Sequence, residues 1–195
     1  MSIEPRVYFD ACCFIDLAMS QLSLPIQAER EPHIFYCRKL LEAARSKDAY
    51  VFTSTLSVVE CTHVKDTRKP ENDRVLMTDE VKRLFHGMLM SGSGRSGVMP
   101  VQPTPKILEA ARDLKWVHNA SIHPMDAIHV ATALAMKCTH FITTDGLKSV
   151  EILKTLNLAV CAADDVAHLL PDRYKQLALG CPHARAISGT RTPAL

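Results

Sequence analysis

Residues 124–137 read PMDAIHVATALAMK, a stretch that is apolar on nearly every side when wound as a helix. Such a helix cannot lie on a surface and has to be covered all round. Pro124 opens it, because proline is tolerated in the first helical turn. Around it, short β-rich runs alternate with helical patterns. Residues 6–10 (RVYFD) read as a buried strand ending in an acid, residues 50–53 as a second strand, 140–143 as a third and 159–162 as the last, with a further short one over 98–102. Ile34, Cys37, Leu40, Leu41 and Ala44 have helical spacing, and Leu56, Val59 and His63 predict a helix after the second strand. Thr78 caps a one-sided helix through Val81, Leu84, Phe85, Met88 and Leu89, and Thr104-Pro105 starts another through Ile107, Leu108, Ala111 and Leu114. Residues 147–156 predict a further helix, and Asp164 or Asp165 the cap of a short one ending at Leu170. Gly92, Gly94 and Gly97 with three serines predict a flexible loop without the Gly-Lys-Ser/Thr of a phosphate cradle. Alternating strands and helices predict an α/β fold with a parallel sheet covered on both faces. In such sheets functional groups gather beyond the carboxyl ends of the strands.

Composition narrows the function classes. The 195 residues are 47% hydrophobic and 23% charged, which excludes a disordered or fibrous chain. Lys and Arg number 23 against 21 Asp and Glu, and a net charge of +2 is too small for a domain that coats nucleic acid. Nucleic-acid contacts would have to come from local patches. No apolar run approaches the ~18 residues of a membrane span, and the opening MSIEPRVYFDACC does not read as a secretory signal. Seven cysteines, an odd number mostly in apolar company, suit buried thiols in a reducing compartment, so a cytoplasmic location is expected. Cys61-x-His63, Cys138-x-His140 and Cys181-x-His183 are spaced too tightly for a usual zinc site.

Four acids stand where acids are costly. Asp10 and Asp145 each follow an apolar strand, Asp126 lies in the first turn of the most apolar helix, and Glu60 sits within SVVEC. Each has a local explanation: Asp10 as a helix cap, Glu60 in a capping box with Ser57, Asp126 complementing the helix dipole, Asp145 as a turn former beside Gly146. Together, the strand-end rule brings them toward one edge of the sheet. Gathered carboxylates repel by about 4 kcal/mol per pair at 4 Å and an effective dielectric of 20, so they must hold protons or recruit a cation. Oxygen-only acidic ligands suit Mg²⁺ or Mn²⁺ rather than Zn²⁺. His129, one turn after Asp126, reads as a packed, hydrogen-bonded histidine.

The segments YFDACCFIDL, STLSVVEC, HPMDAIHVATALAMKCTHFITTDG and AVCAADD resemble the PIN-domain ribonucleases, including VapC-type toxins. The third is the most specific: an Asp opens an Ala-rich helix and Thr143-x-Asp145 follows 19 residues later. The resemblance spans roughly residues 5–168, motif by motif. It implies a three-layer α/β/α sandwich with a central parallel sheet of about five strands. It implies a single nuclease domain over 1–170, with an inserted helix and Gly/Ser loop over about 73–100, and a partly disordered extension over 171–195. It also implies metal-dependent cleavage of single-stranded RNA to 5′-phosphate and 3′-hydroxyl ends. Asp10, Asp126 and Asp145 would hold Mg²⁺ or Mn²⁺, Glu60 would help hold water or a second ion, and Thr143 and Thr144 would brace Asp145 or touch substrate. A VapC-like chain would have an antitoxin protein as partner, and family members commonly form homodimers. The chain departs from the pattern at Cys12, where Ser, Thr or Asn is usual, and in the length between Glu60 and Asp126.

Basic residues near the expected site are Lys65, Arg68 and Lys69, then Arg38, Lys39, Arg45, Lys47 and Arg95; Tyr36 and Trp116 are the aromatic candidates, expected to be partly core. Two other functions compete. A phosphoacceptor signalling module would need a lysine ending the last strand, where this chain has AVCAADD. A catalytically weak PIN-like module that binds RNA or protein is the other, motivated by Cys12 and the long insert.

Overall fold

Strand β1 (Arg6–Phe9) is where the two halves of the core meet. Val7 and Phe9 project into one apolar cluster and Tyr8 into another, all three inaccessible to solvent. A strand with apolar surroundings on both faces belongs inside a covered sheet. In this computed structural model, residues 4–118, 120–149 and 152–175 are described. After β1 come α1 (Ala11–Gln21), α2 (Glu31–Arg45), β2 (Tyr50–Ser54), α3 (Ser57–Glu60), β3 (Val64–Lys65) and β4 (Val75–Leu76). Then follow α4 (Asp79–Leu89), α5 (Ser93–Ser96), β5 (Val98–Val101), α6 (Pro105–Trp116), α7 (Pro124–Ala135), β6 (His140–Ile142), α8 (Ile152–Thr155), β7 (Ala159–Cys161) and α9 (Asp172–Lys175).

The main sheet has the order β5-β2-β1-β6-β7, every neighbouring pair parallel. Helices α1, α2, α4 and α9 cover the face carrying Val7 and Phe9, while α6, α7 and Leu153 of α8 cover the face of Tyr8. The fold is therefore an α/β/α sandwich around a five-stranded parallel sheet, as the alternation of elements implies. Burying each large side chain of these clusters contributes about 1.5–3 kcal/mol. Capping follows the sequence at two helices: Thr78 Oγ1 accepts from Val81 N (3.3 Å) and Thr104 Oγ1 from Ile107 N (3.4 Å). Helix α7 buries Ala127 and the run from His129 to Ala133.

Several local expectations are corrected. The helix after β2 is a single turn; Val59 is 68% exposed and His63 lies beyond the helix. The chain instead enters the antiparallel β3–β4 ladder, whose two-residue strands are too short to leave a periodic signal. Within residues 91–97 there is a helical turn, α5, pinned by the buried Ser96 hydroxyl, which donates to Gly92 O (3.1 Å) and accepts from Val98 N (3.1 Å). Over 147–156 there is a tight turn, Gly146–Ser149, and then α8, with residues 150–151 outside those described. The turn at Asp164–Leu169 has no side-chain cap; Asp165 accepts instead from Ala162 N (2.9 Å). Trp116 is 77% exposed and takes no part in the core.

The segment 73–100 supplies edge strand β5 and, through Val81, Phe85 and Leu89, part of the core. Of residues 171–195, α9 is described: Tyr174 is buried, and its hydroxyl donates to Asp48 Oδ2 (2.6 Å), which also pairs with Arg173. Residues 176–195, with Cys181 and His183, lie outside the described residues.

Gly97 brings two backbone segments close together. Its φ is +79°, and a Cβ there would sit 2.6 Å from the carbonyl oxygen of Leu41 in α2. Gly97→Ala is expected to cost about 2 kcal/mol or more, from left-handed strain and the backbone clash together. Urea unfolding measures it, and an unchanged midpoint would show that α2 and β5 are not in such close contact.

Candidate functional site

The order of the sheet creates a crevice. Chain connections run outward from β1 toward β2 on one side and from β6 toward β7 on the other, so β1 and β6 flank the switch point. The residues leaving these two strands are Asp10 and Thr143. Asp10 N donates to Ile142 O (3.1 Å), which prolongs the ladder to the acid itself. Asp10 Oδ1 accepts from Ala11 N (2.8 Å), so the carboxylate also caps α1. Its other oxygen, Oδ2, accepts from the Thr143 hydroxyl (2.8 Å), and Thr143 Oγ1 in turn accepts from Asp145 N (3.0 Å). One buried hydroxyl thus ties the first acid to the backbone of the last. Thr144 N donates to Cys12 Sγ (3.4 Å), while Thr144 Oγ1 is buried without a partner among the described residues.

Glu60 and Asp126 reach the same place from the other elements. The single turn α3 carries Glu60, whose Oε2 pairs with His129 Nε2 (2.7 Å). His129 is fully buried in α7, one turn after Asp126, and its Nδ1 meets the hydroxyl of Tyr8 (2.7 Å). Tyr8 OH accepts from Ser54 N (2.7 Å), and an ionised Glu60 can only accept, so Nε2 is the donor to Glu60. The capping box between Ser57 and Glu60 does not form: Ser57 Oγ bonds Thr53 Oγ1 (2.9 Å) and Glu60 turns to the histidine.

Asp10, Glu60, Asp126 and Asp145 line one cleft of about 630 Å³, walled in part by Lys65 and Thr67 of the β3–β4 hairpin. Its most compact donor group is Asp10, Cys12 and Asp145, whose ligand atoms lie within 4.8 Å of one another. Glu60 and Asp126 stand outside that group, in the wider cleft. Burial raises the pKa of Asp10 against the opposing charge of His129 and the hydrogen bonds of Thr143 and Ala11, and Asp145 adds to the rise. Burial likewise raises Asp126, with Glu60 and Asp145 adding to it. For His129 burial pulls downward, but the hydrogen bond and charge of Glu60, with Asp10 and Asp126, outweigh it and the ring holds its proton more firmly.

Three participants were not singled out from the sequence. Asp16, on α1, is 2% exposed and lines the cleft. Its Oδ1 takes Arg30 Nη1 (2.8 Å), its Oδ2 has no partner among the described residues, and burial raises its pKa. An acid inside FIDLAM is as costly as one inside SVVEC, so the same argument would have found it. Arg30, also at the cleft, carried no such signal. Cys12 was marked only as a departure; its thiol is 3.6 Å from Asp10 Oδ2 and 3.4 Å from Thr143 Oγ1. Of the basic residues expected nearby, Lys65 lines the cleft, whereas Arg38, Arg45 and Arg95 line a different concavity.

The donor set fits a hard divalent cation. Two converging carboxylates in a cleft wide enough for water match Mg²⁺ or Mn²⁺, and the sulfur of Cys12 adds little for Mg²⁺. A second group, Cys13, His33 and Cys37, is close enough for a metal. Its chemistry argues against one. His33 Nδ1 accepts from Ala163 N (3.0 Å), so the neutral ring carries its proton on Nε2, the atom facing Cys37 Sγ at 3.4 Å.

No family model and no curated protein matches the chain. No helix among the described residues is long and apolar enough to cross a membrane.

Asp10, Asp16, Asp126 and His129 all bind protons more tightly folded than unfolded. A raised folded pKa stabilises below the unfolded pKa and is lost as pH rises through the folded value. For the carboxyls the loss begins near pH ~4. In chelator-containing buffer Asp10→Asn, which keeps an acceptor for Ala11 N, is therefore expected to gain stability relative to wild type as pH climbs above that point. Urea midpoints between acid and neutral pH check this; a constant difference across the range would contradict the crowding.

Proposed function

We propose that the protein is a Mg²⁺- or Mn²⁺-dependent endoribonuclease that hydrolyses phosphodiester bonds of single-stranded RNA. The observation that carries this reading is the convergence of Asp10, Glu60, Asp126 and Asp145, from four separate segments, on one cleft at the switch point of a parallel sheet. Asp10 and Asp145 would hold the ion, with Asp126 and Glu60 adding charge around it. A divalent ion bound there supplies Lewis-acid stabilisation of charge developing on the phosphate. In the reaction a water oxygen bonds to phosphorus as the P–O3′ bond breaks, leaving a 5′-phosphate and, once the departing O3′ takes a proton from solvent water, a 3′-hydroxyl. A carboxylate of the cluster takes the proton that water loses. His129 is a positioning residue: it fixes Glu60, and Tyr8 fixes His129. Thr143 does the same for Asp10 and Asp145. Lys65, on the cleft wall, is a cation available to phosphate oxygens, whereas Arg30 is held by Asp16.

A role as the toxin of a toxin–antitoxin pair belongs to the same proposal, with an inhibitory antitoxin protein as partner, assembly as a homodimer and a cytoplasmic location. A second reading, a PIN-like module that binds RNA or protein with weak or no catalysis, is favoured by Cys12, a poor hydrogen-bonding group facing Asp10.

Cleavage of a labelled single-stranded RNA with Mn²⁺ is expected for wild type, with Asp126→Asn slower by about 100-fold or more. Equal rates would remove the assigned mechanism. Mn²⁺ at ten times its dissociation constant is expected to add about 1.4 kcal/mol to stability, read as a rise in melting temperature that Asp10→Asn diminishes. A rise without RNA turnover would favour the binding module, and no rise would refute both.

A further inference from the structure

We propose that the concavity between α2, α4 and α5 binds a compact polyphosphate group, such as pyrophosphate or the phosphate chain of a nucleotide. Four exposed arginines line its roughly 400 Å³: Arg38 and Arg45 from α2, Arg83 from α4 and Arg95 from α5. It shares no lining residue with the acidic cleft. Among the described residues, Arg45, Arg83 and Arg95 have no hydrogen-bond or ion-pair partner, and Arg38 Nη2 donates to the neutral hydroxyl of Ser20 (2.6 Å). The one acid of the lining, Glu42, is held by Lys39 (2.8 Å). The positive charge there is therefore not neutralised from within the described chain.

Three elements separated in sequence bring these guanidinium groups together, so they are not a solvated stripe along one helix. Like charges gathered in a hollow repel, and a multiply charged anion offsets that repulsion. Arginine suits phosphate because its planar fork donates two parallel hydrogen bonds to one phosphate, which lysine cannot do. The hollow is small and its floor is aliphatic, with Leu17 and Leu84. No aromatic side chain lines it. A single-stranded nucleic acid needs an extended basic groove and rings on which its bases stack. The lining instead matches a short, densely charged group.

The test is calorimetric titration and thermal melting of the full chain with sodium pyrophosphate in chelator-containing buffer. Sodium chloride at equal ionic strength is the control. Pyrophosphate is expected to bind and to raise the melting temperature beyond the chloride control. Arg45→Gln and Arg83→Gln, both exposed and tolerant of change, are each expected to weaken it by about tenfold, the loss of a charge-assisted pair. ATP and adenosine separate the sources. ATP binding tighter than pyrophosphate, with adenosine inert, assigns a nucleotide; equal binding assigns the free phosphate chain. A shift matched by chloride, or affinity unchanged in the double variant, overturns the site. So does binding of a short RNA oligonucleotide that the two substitutions abolish while pyrophosphate does not bind. RNA cleavage at the acidic cleft is independent of all these outcomes.

Discussion

The parallel pairing of β1 with β6 is the constraint on which the site depends. The register sets Phe9 beside Ile142, so the chain leaves the sheet at Asp10 and at Thr143 side by side. One residue of slip would move Thr143 out of reach of the Asp10 carboxylate and exchange the faces of every β6 side chain. The register is fixed by burial on both faces: Phe141 stacks on Tyr8 at 4.9 Å on one, and Ile142 joins Phe9 and Phe14 on the other. Packing energy, spread over dozens of apolar contacts, thus holds two repelling carboxylates near each other.

A second level of organisation is polar and buried. Tyr8, His129 and Glu60 form a chain from the backbone of Ser54 to the cleft, each group satisfied by the next. Removing His129 would take one partner from the buried Tyr8 hydroxyl, at about 1–3 kcal/mol, and would release Glu60, which is partly exposed in the cleft. That arrangement makes α7 carry two jobs. Its Asp126 faces the cleft, and its His129, one turn on, orients an acid borne by another helix.

Much of this was legible in the sequence for specific reasons. Asp10 and Asp145 announce themselves because each ends an apolar strand, and a parallel sheet collects such ends on one edge. Thr78 and Thr104 were readable because capping is a local interaction spanning three residues. The partners of His129 were not readable: Glu60 is 69 positions away and Tyr8 is 121. No periodicity encodes a contact of that range. The pairing of β3 with β4 escaped notice because two residues carry no alternation. The helix expected after β2 failed for the reverse reason: Leu56, Val59 and His63 have helical spacing, yet Val59 is left largely exposed. Spacing is necessary for an amphipathic helix, but the covering surface decides.

The floor and one wall of the cleft belong to different tiers of local stability. The floor rests on β1 and β6, where Val7, Tyr8, Phe9, Phe141 and Ile142 are closed to solvent, and buried central strands belong to the most protected tier of a domain. The hairpin wall is a ladder of two residue pairs, and the stretch from Thr67 to Val75 is exposed throughout. Its amides should trade hydrogen for deuterium long before those of β1 and β6. The molecule thereby sets a well-packed acidic seat beside a lightly held rim, two parts of one cleft that differ in how readily their backbone opens.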